Sequence, residues 1–339
     1  MKIVVDCHGS DLGAKVAVEG SVKAINENED LTVVLCGVEE EIKHILSNLD
    51  YNEKQVEICP ATQIIYNTES PTEAVRKKKD SSLVRAYERL KEDKDVVGLV
   101  SCGSTGAVLT GAILKIGRIK NISRPALCPI LPTANGGKVL LIDSGANIDC
   151  KPINLAHFAI MATCYAKAYL NIENPRVALL NIGVEDKKGN QFSHECFELL
   201  KSAPINFVGN MEARDFLSGK YDIVVADGFD GNILLKSVEG TASMVLGEIK
   251  KGIQNSFMAK IGALFMKRTF KNLKNTFNTS NYGGAAFLGV KKLIVKGHGA
   301  SDALAFEKSI LQVKTLANFN LCKSIETQVA LLGDLNGGD

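Results

Sequence analysis

Residues 96–107 read VVGLVSCGSTGA, and this stretch indicates the class of fold. An apolar, β-branched run at Val96–Ser101 leads into a glycine-rich polar turn, which is followed by the helical spacing of Ala107–Ile116. A strand that is apolar along its whole length, followed by a turn and a helix, is the building unit of a parallel sheet covered on both faces. The stretch therefore predicts an α/β fold.

The same unit recurs along the chain. Further strands are predicted at Ile3–Asp6, Thr32–Cys36, Lys138–Asp143, Arg176–Asn181, Asp222–Asp227 and Leu293–Lys296. Helical spacing lies between most of them, for example at Val38–Leu49, Asn154–Leu170 and Phe192–Leu200. Because no Pro/Ser-rich linker and no repeat of fixed period divides the sequence, residues 1–339 are predicted to form one extended α/β domain, with two lobes as the alternative. The expected architecture is three-layer αβα with a largely parallel sheet.

Composition and charge exclude several classes of protein. The 339 residues are 45% hydrophobic and 23% charged, which is typical of a globular chain and not of a disordered one. A formal net charge of +2 gives no sign of a nucleic-acid partner. No apolar run approaches the roughly 18 residues needed to span a bilayer, and Asp6 comes before a signal-peptide core could form. We therefore expect a cytoplasmic protein.

Cysteine and histidine spacing gives no support for a disulfide framework or a metal site. The nine cysteines form no CxxC pair, and their number is odd. The five histidines show no HxxxH or HExxH spacing. Most of the cysteines lie in apolar stretches, as Cys36 does, and are interpreted as small core residues. No metal is predicted.

Six polar, glycine-containing turns follow the predicted strands, at residues 6–11, 101–107, 143–147, 181–183, 227–232 and 297–301. Ligands of parallel sheets bind beyond the carboxyl ends of the strands, and glycine with a helix start suits an anion. Gly103–Gly106 is therefore a predicted phosphate cradle. For any single turn, the alternative is that glycine only supplies the dihedral angles of the turn. Six turns converging on one sheet edge favour a site.

The common nucleotide and hydrolase motifs are absent from the sequence. It contains neither the GxxxxGK[ST] phosphate loop nor a GxGxxG fingerprint after a strand, and it has no GxSxG elbow. Kinase, ordinary dehydrogenase and serine hydrolase chemistry therefore have no positive support. What remains is an anion site with one conspicuous cation, Lys188, just past a strand end, whereas its neighbour Lys187 is interpreted as a solvated charge.

Several motifs follow one another over nearly the whole chain, namely Leu179–Gly183, Lys188–Asn190, Phe207–Asn210, Asp227–Asn232 with Leu235-Lys236, and Tyr282–Ala285. Together they resemble the phosphate acyltransferase family PlsX. The chain departs from the family pattern at His8 and Ser10, at Ser104 and at Ala300. The resemblance implies a fold similar to the isocitrate and isopropylmalate dehydrogenases and to phosphotransacetylases.

The resemblance also implies an activity: transfer of a fatty acyl group from acyl-acyl carrier protein to inorganic phosphate, giving acyl phosphate for phospholipid synthesis without metal, nucleotide or other cofactor. On this basis Lys188 is assigned to neutralise and orient phosphate, and Asn232 to steady the oxyanion or the phosphate. His298 and Asp227 are assigned polarising or orienting roles. The expected phosphate-binding residues are Asp6, Gly103, Ser104, Thr105, Gly106, Asp143, Gly145, Asn147, Asn181, Gly231 and Ser301.

Three other functions stay open: a phosphotransacetylase-like enzyme acting on acyl-coenzyme A, a metal-dependent decarboxylating dehydrogenase, and a non-catalytic scaffold for lipid synthesis. The expected partners are acyl carrier protein, a membrane glycerol-3-phosphate acyltransferase that consumes the product, and a second copy of the chain in a homodimer. Acyl carrier protein is acidic, so a basic docking surface is expected at Arg76–Lys79 or at Lys250–Lys274.

The α/β pattern stops at residues 240–277, which are predicted to be an inserted amphipathic helical segment. Seven cations between Glu248 and Lys274 face a single acid, Glu248. An apolar stripe at helical spacing suits the surface of an anionic bilayer. The residues predicted to contact the membrane are Ile253, Phe257, Ile261, Leu264 and Phe265. The alternative is that the stripe packs on the body of the protein or on a second subunit.

Overall fold

The computed structural model describes residues 1–277 and 279–335. The strands are β1 (Lys2–Asp6), β2 (Thr32–Gly37), β3 (Val56–Pro60), β4 (Val96–Ser101), β5 (Ala126–Cys128), β6 (Ile130–Pro132), β7 (Lys138–Ile142), β8 (Val177–Asn181), β9 (Phe207–Glu212), β10 (Ile223–Val225), β11 (Ala285–Leu288) and β12 (Leu293–Lys296). The helices are α1 (Ala14–Asn26), α2 (Glu39–Leu46), α3 (Pro71–Lys77), α4 (Ser82–Glu92), α5 (Thr105–Gly111), α6 (Pro152–Tyr165), α7 (Gln191–Ser202), α8 (Gly228–Gln254), α9 (Phe257–Phe265), α10 (Lys267–Phe277), α11 (Ala303–Asn318) and α12 (Leu321–Leu335). Single π-helical turns at Ala112–Ile116 and Ala166–Leu170 extend α5 and α6.

The strands form two sheets. The first has the order β3-β2-β1-β4-β12-β11-β5, and the second has the order β6-β7-β10-β8-β9. All pairs are parallel except those of β11 with its two neighbours and that of β6 with β7. The predicted α/β class with largely parallel sheets is confirmed.

Strand β1 shows why the first sheet is covered on both faces. Its residues Ile3, Val4 and Val5 are all fully buried. Since successive side chains of a strand point to opposite faces, Ile3 and Val5 join one apolar cluster and Val4 joins the other. The first cluster contains residues of α1 and α11, and the second contains residues of α4 and α5. Helix, sheet and helix therefore form three layers, as predicted.

All seven predicted strands are present, but the turns that follow them do not share one sheet edge. The turns after β1, β4 and β12 belong to the first sheet, and those after β7, β8 and β10 belong to the second. The prediction of a single edge is wrong because short β5 and β6 switch the chain from one sheet to the other. How the chain divides into domains stays a prediction.

Strand β5 also ties the two sheets together at their meeting point. Only Pro129 separates β5 in the first sheet from β6 in the second. The Leu127 N–H of β5 donates to Asp143 Oδ1 at 3.0 Å, and the Leu127 carbonyl accepts from the Ser144 N–H at 3.1 Å. The turn after β7 is therefore held against the edge of the first sheet, which brings the two groups of turns towards each other.

Residues 240–277 are helical, as α8, α9 and α10 show. Helix α8 begins earlier, at Gly228, so the segment is continuous with the turn after β10. No residue of α9 is buried, and Phe257, Leu264 and Phe265 are each more than 70% exposed, at 76%, 73% and 86%. The side chain of Lys274, one of the predicted cations, lies outside the described residues. Among the described helices, none is long and apolar enough to cross a membrane.

Candidate functional site

A cavity of about 870 Å³ lies between the two groups of turns. One wall is apolar and includes Leu127, Pro129, Ile130, Leu131, Leu217, Leu235, Val238 and Leu246. The polar wall includes Ser144, Lys236, Lys296 and five of the predicted site residues, namely Thr105, Gly145, Asn232, His298 and Ser301. The other ten predicted site residues are not in the lining, and their contacts are described below.

Asp143 holds the turn after β7 in shape through hydrogen bonds. Its carboxylate is fully buried and accepts the backbone N–H groups of Leu127, Gly145, Ala146 and Asn147, together with the Asn147 side-chain amide. Burial raises the pKa of Asp143, whereas these N–H donors oppose the rise because each favours the charged form. Asn147 is buried as well and also donates to the Pro125 carbonyl at 2.7 Å. Both residues therefore hold the turn in shape.

The first turn of α8 packs directly on this Asp143 turn. Asp227 is the N-cap of α8, where its side chain accepts the Asp230 N–H at 2.8 Å, and burial raises its pKa. A Cβ atom at Gly231 would overlap the Asp143 carbonyl oxygen. Only glycine allows this approach, and the approach places the next residue, Asn232, against Gly145 in the cavity wall.

The turns after β1 and β4 pack on each other in the same manner. Asp6 is 1% exposed, and its Oδ2 accepts the Ser101 hydroxyl at 2.7 Å, while Ser101 Oγ accepts the Gly103 N–H at 3.1 Å. A Cβ at Gly106 would lie 2.6 Å from Cγ of Pro71, so this glycine fits against the start of α3. Ser104 is the N-cap position of α5 but makes no side-chain cap bond. Of this predicted cradle, only Thr105 lines the cavity.

His8, which departs from the family pattern, has a structural contact. Its Nε2 accepts the backbone N–H of Val38 at 2.9 Å, and Val38 is the N-cap residue of α2. Because Nε2 accepts here, a neutral His8 carries its proton on Nδ1. His8 therefore stabilises the start of α2.

The turn after β12 places His298 and Ser301 in the polar wall. The Nδ1 atom of His298 accepts the Ala300 N–H at 3.2 Å, so a neutral His298 carries its proton on Nε2. The Ser301 N–H donates to the His298 carbonyl at 3.0 Å, which closes the turn. An exposed imidazole with a protonated Nε2 can donate a hydrogen bond to an oxygen bound in the cavity.

Lys188 lies in the turn after β8, outside the cavity lining. Asn181 shapes this turn: its side-chain amide donates to the Lys188 carbonyl at 3.0 Å, and its Oδ1 accepts the Ile182 N–H at 2.8 Å. Gly189 has a φ of 100°, a value that favours glycine, and Asn190 caps α7. Strand β8 is the neighbour of β10, so this turn lies beside the one that carries Asn232.

Lys296 is a cavity residue that the sequence analysis missed. It is the last residue of β12, where it pairs with Ser101 of β4 and with Ala285 of β11. Burial lowers the pKa of its ammonium group. The sequence signal was available, because the predicted strand Leu293–Lys296 ends on a lysine at the carboxyl edge, where ligands of parallel sheets bind.

Comparison with known proteins identifies the family. A model of the family described as fatty acid synthesis protein matches residues 1–324. The chain is 44% identical to the phosphate acyltransferase of Clostridium tetani, over 99% of this chain and all of that protein. It is 42% identical to the phosphate acyltransferase of Thermoanaerobacterium thermosaccharolyticum, over 98% of each. The chain belongs to the phosphate acyltransferase family. It is an acyltransferase, as the PlsX resemblance implied.

The structural comparison agrees with this fold. A crystal structure of a phosphotransacetylase from Streptococcus pyogenes superposes with a TM-score of 0.61 over 94% of each chain, at 19% sequence identity. Identity this low supports the shared fold alone. This chain and the phosphotransacetylase therefore share an overall fold.

Proposed function

We propose that this phosphate acyltransferase transfers a fatty acyl group from the thioester of acyl carrier protein to inorganic phosphate. The observation that carries the proposal is the cavity, whose lining combines apolar side chains with the polar residues Asn232 and His298 and a lysine. A fatty acyl chain has an apolar tail and a reactive carbonyl end, so it matches a cavity with both kinds of lining. The volume of about 870 Å³ is large enough for a long chain.

The reaction needs positioning more than acid–base chemistry. A phosphate oxygen forms a bond to the thioester carbonyl carbon, and the carbon–sulfur bond then breaks. The products are the acyl phosphate and the thiolate of the carrier, which takes a proton from water. Phosphate dianion is already a nucleophile and a thiolate leaves readily, so the protein has to align the reactants and stabilise the oxyanion.

The proposed roles follow from where the side chains lie. Asn232 lies in the cavity wall against Gly145 and donates its amide to the oxyanion or to the phosphate. His298 donates from Nε2 to the same group of oxygens. Lys188, which lies in the turn beside the one that carries Asn232, is proposed to orient the phosphate. Asp227 and Asp143 act through the backbone, since the contacts described above hold the turns that present Asn232.

The acyl donor is tested by comparing two thioesters of the same acyl chain. We expect kcat/KM for acyl-acyl carrier protein to be roughly tenfold or more above that for acyl-coenzyme A, because a protein donor adds an electrostatic docking contact. Hydroxylamine trapping measures the acyl phosphate, and a thiol reagent measures the released carrier. Equal or better use of acyl-coenzyme A would favour the phosphotransacetylase-like alternative. No product with either donor would contradict both proposed donors.

The basic surface for acyl carrier protein is proposed at residues 250–271 rather than at Arg76–Lys79. In Arg76–Lys79, Lys77 is paired with Glu73 and Lys78 donates to Glu69 at 2.7 Å, so part of the positive charge of this stretch is neutralised. In residues 250–271 all the cations are exposed, and the described ion pairs include only that of Lys251 with Glu248 at 2.7 Å. An acidic partner therefore meets more unpaired charge there.

We also propose that residues 253–265 bind reversibly to the surface of an anionic membrane. Four of the five predicted contact residues are exposed, and Ile253 is half-buried. Lysines flank this apolar surface, and a long-chain acyl phosphate dissolves poorly in water, so delivery to a membrane glycerol-3-phosphate acyltransferase suits the product. The homodimer implied by the resemblance stays a prediction, and a second subunit is the competing occupant of the same surface.

Flotation with anionic vesicles tests the membrane contact. Ile261→Asp and Leu264→Asp are each expected to lower the bound fraction by about tenfold or more, because a charge replaces an apolar side chain that would enter the bilayer surface. Gln254→Asp is the matched control, since it adds the same charge at an exposed polar position and is expected to have a much smaller effect. Equal flotation of all variants, or none by wild type at low salt, would show that the stripe is a packing face.

A further inference from the structure

The polar wall of the cavity contains an ammonium group without an anionic partner. Among the residues that the structure describes, none forms an ion pair or a side-chain hydrogen bond with Lys296, although this lysine is half-buried. Burying a charge without a partner is costly, and the cost is recovered when a bound anion supplies the missing charge. The position of Lys296 in the wall makes a ligand the natural source of that anion.

The charged and titratable groups around Lys296 do not neutralise it. The thiol of Cys102 lies beside it, and burial raises the pKa of that thiol to about 12, so it is uncharged at neutral pH. Asp11 and Glu239 attract Lys296 only through space, while Lys236 repels it. Glu239 is already paired with Lys236 at 2.6 Å, and Asp11 accepts the Asn67 side-chain amide at 2.9 Å.

Lys236 is the other lysine of the cavity lining, and unlike Lys296 it has an anionic partner. Its ammonium group is exposed and neutralised by Glu239 on the same helix. Lys188 lies outside the lining. Of the described lysines that line the cavity, Lys296 is therefore the one whose charge is available to a ligand.

We propose that Lys296 is the binding cation for the inorganic phosphate, which it holds beside His298 and Ser301 at the carboxyl end of β12. The inference rests on the proposed function only in taking phosphate as the ligand. Inorganic phosphate is a mixture of monoanion and dianion at neutral pH, so one lysine neutralises only part of the charge of the dianion. Lys296 then supplies binding affinity for the phosphate, whereas Lys188 orients the phosphate for attack and Asn232 acts on the charge that develops during transfer.

Titration calorimetry with inorganic phosphate and the full-length protein tests this role without an acyl donor. Lys296→Gln is expected to weaken phosphate binding roughly 30-fold or more, because a desolvated charge pair is lost. Lys296→Arg keeps the charge and is expected to restore a large part of the affinity. In turnover the same loss appears in the KM for phosphate and leaves the KM for the acyl donor nearly unchanged.

Lys292→Gln is the matched control. Lys292 precedes β12 at its other end and donates to the Val96 carbonyl at 3.0 Å, so its replacement should leave the Kd for phosphate unchanged. If wild type binds phosphate only together with the acyl donor, the KM for phosphate decides instead. An equal Kd or KM for wild type and Lys296→Gln would overturn the inference, whichever thioester is the true donor.

A labelling experiment on wild type covers the case in which Lys296→Gln does not fold. Trinitrobenzenesulfonate modifies uncharged lysine amines, and peptide mass spectrometry reports the rate at Lys296 and at Lys292 separately. Phosphate is expected to slow the reaction of Lys296 several-fold relative to chloride at equal ionic strength, and to leave Lys292 unaffected. Identical rates at Lys296 in phosphate and chloride would contradict phosphate binding at this residue.

Discussion

Lys188→Ala is expected to lower kcat about 100- to 1000-fold because Lys188 orients the attacking phosphate, and Asn232→Ala is expected to lower it by a similar factor because Asn232 donates to the oxyanion. Both side chains are exposed, so the free energy of unfolding should change by less than about 0.5 kcal/mol. Steady-state turnover with saturating phosphate and acyl donor measures kcat, and urea unfolding measures stability.

The neighbouring Lys187 provides the control for the first of these variants. The Lys187 side chain is also exposed. The described contact of this residue is made by its backbone carbonyl, which lies 3.0 Å from His194 Nε2, and alanine would keep that contact. Lys187→Ala should therefore turn over like wild type. Wild-type kcat in Lys188→Ala would remove Lys188 from the mechanism. Loss in Lys187→Ala as well would indicate that the turn serves as a general basic surface.

These effects separate two kinds of lysine. A change in kcat at Lys188 together with a change in the phosphate KM at Lys296 would show that binding of the phosphate and its orientation for attack depend on different turns. The two turns belong to different sheets, since Lys296 ends β12 and Lys188 follows β8. Any motion of one sheet against the other would then change the alignment of phosphate with the thioester.

The strands that could be predicted from the sequence are those buried on both faces. Ile3, Val4 and Val5 form such a run, and each of the seven runs of this kind became a strand. The five strands that were missed lie at sheet edges or are short: β3 and β9 are edge strands, β5 and β6 have three residues each, and β11 has four. Because β5 and β6 switch the chain between sheets, missing them also hid the existence of two sheets.

The sequence located the turns of the site better than the role of each residue in them. A carboxylate or glycine at a strand end can either bind a ligand or close the turn. Which of the two roles it has depends on the hydrogen-bond donors that surround it. Asp143 receives five N–H groups from its own turn and from β5, a pairing that no spacing reveals. Conversely, Lys296 looks like an ordinary strand end until the cavity beside it is seen.

Gly231→Ala is expected to lower the free energy of unfolding by more than about 3 kcal/mol, or to abolish turnover if the protein still folds. The added methyl group would overlap the Asp143 carbonyl oxygen, and this oxygen belongs to a turn anchored by a fully buried carboxylate. Neither backbone can move without breaking hydrogen bonds of the Asp143 turn or lifting Asn232 out of the wall. Urea unfolding and steady-state kinetics measure the two losses.

Gly247→Ala, in the same helix, is expected to change the free energy of unfolding in the opposite direction. A Cβ at Gly247 would meet no atom within 4 Å, so alanine there brings only its higher helix propensity and should raise the free energy of unfolding by about 0.5–1 kcal/mol. The two substitutions are chemically identical and differ only in what faces the new methyl group. Opposite signs would therefore attribute the loss at Gly231 to the contact between α8 and the Asp143 turn. Equal stability of the two variants would mean that α8 does not approach this turn so closely, and the placement of Asn232 in the cavity wall would be wrong.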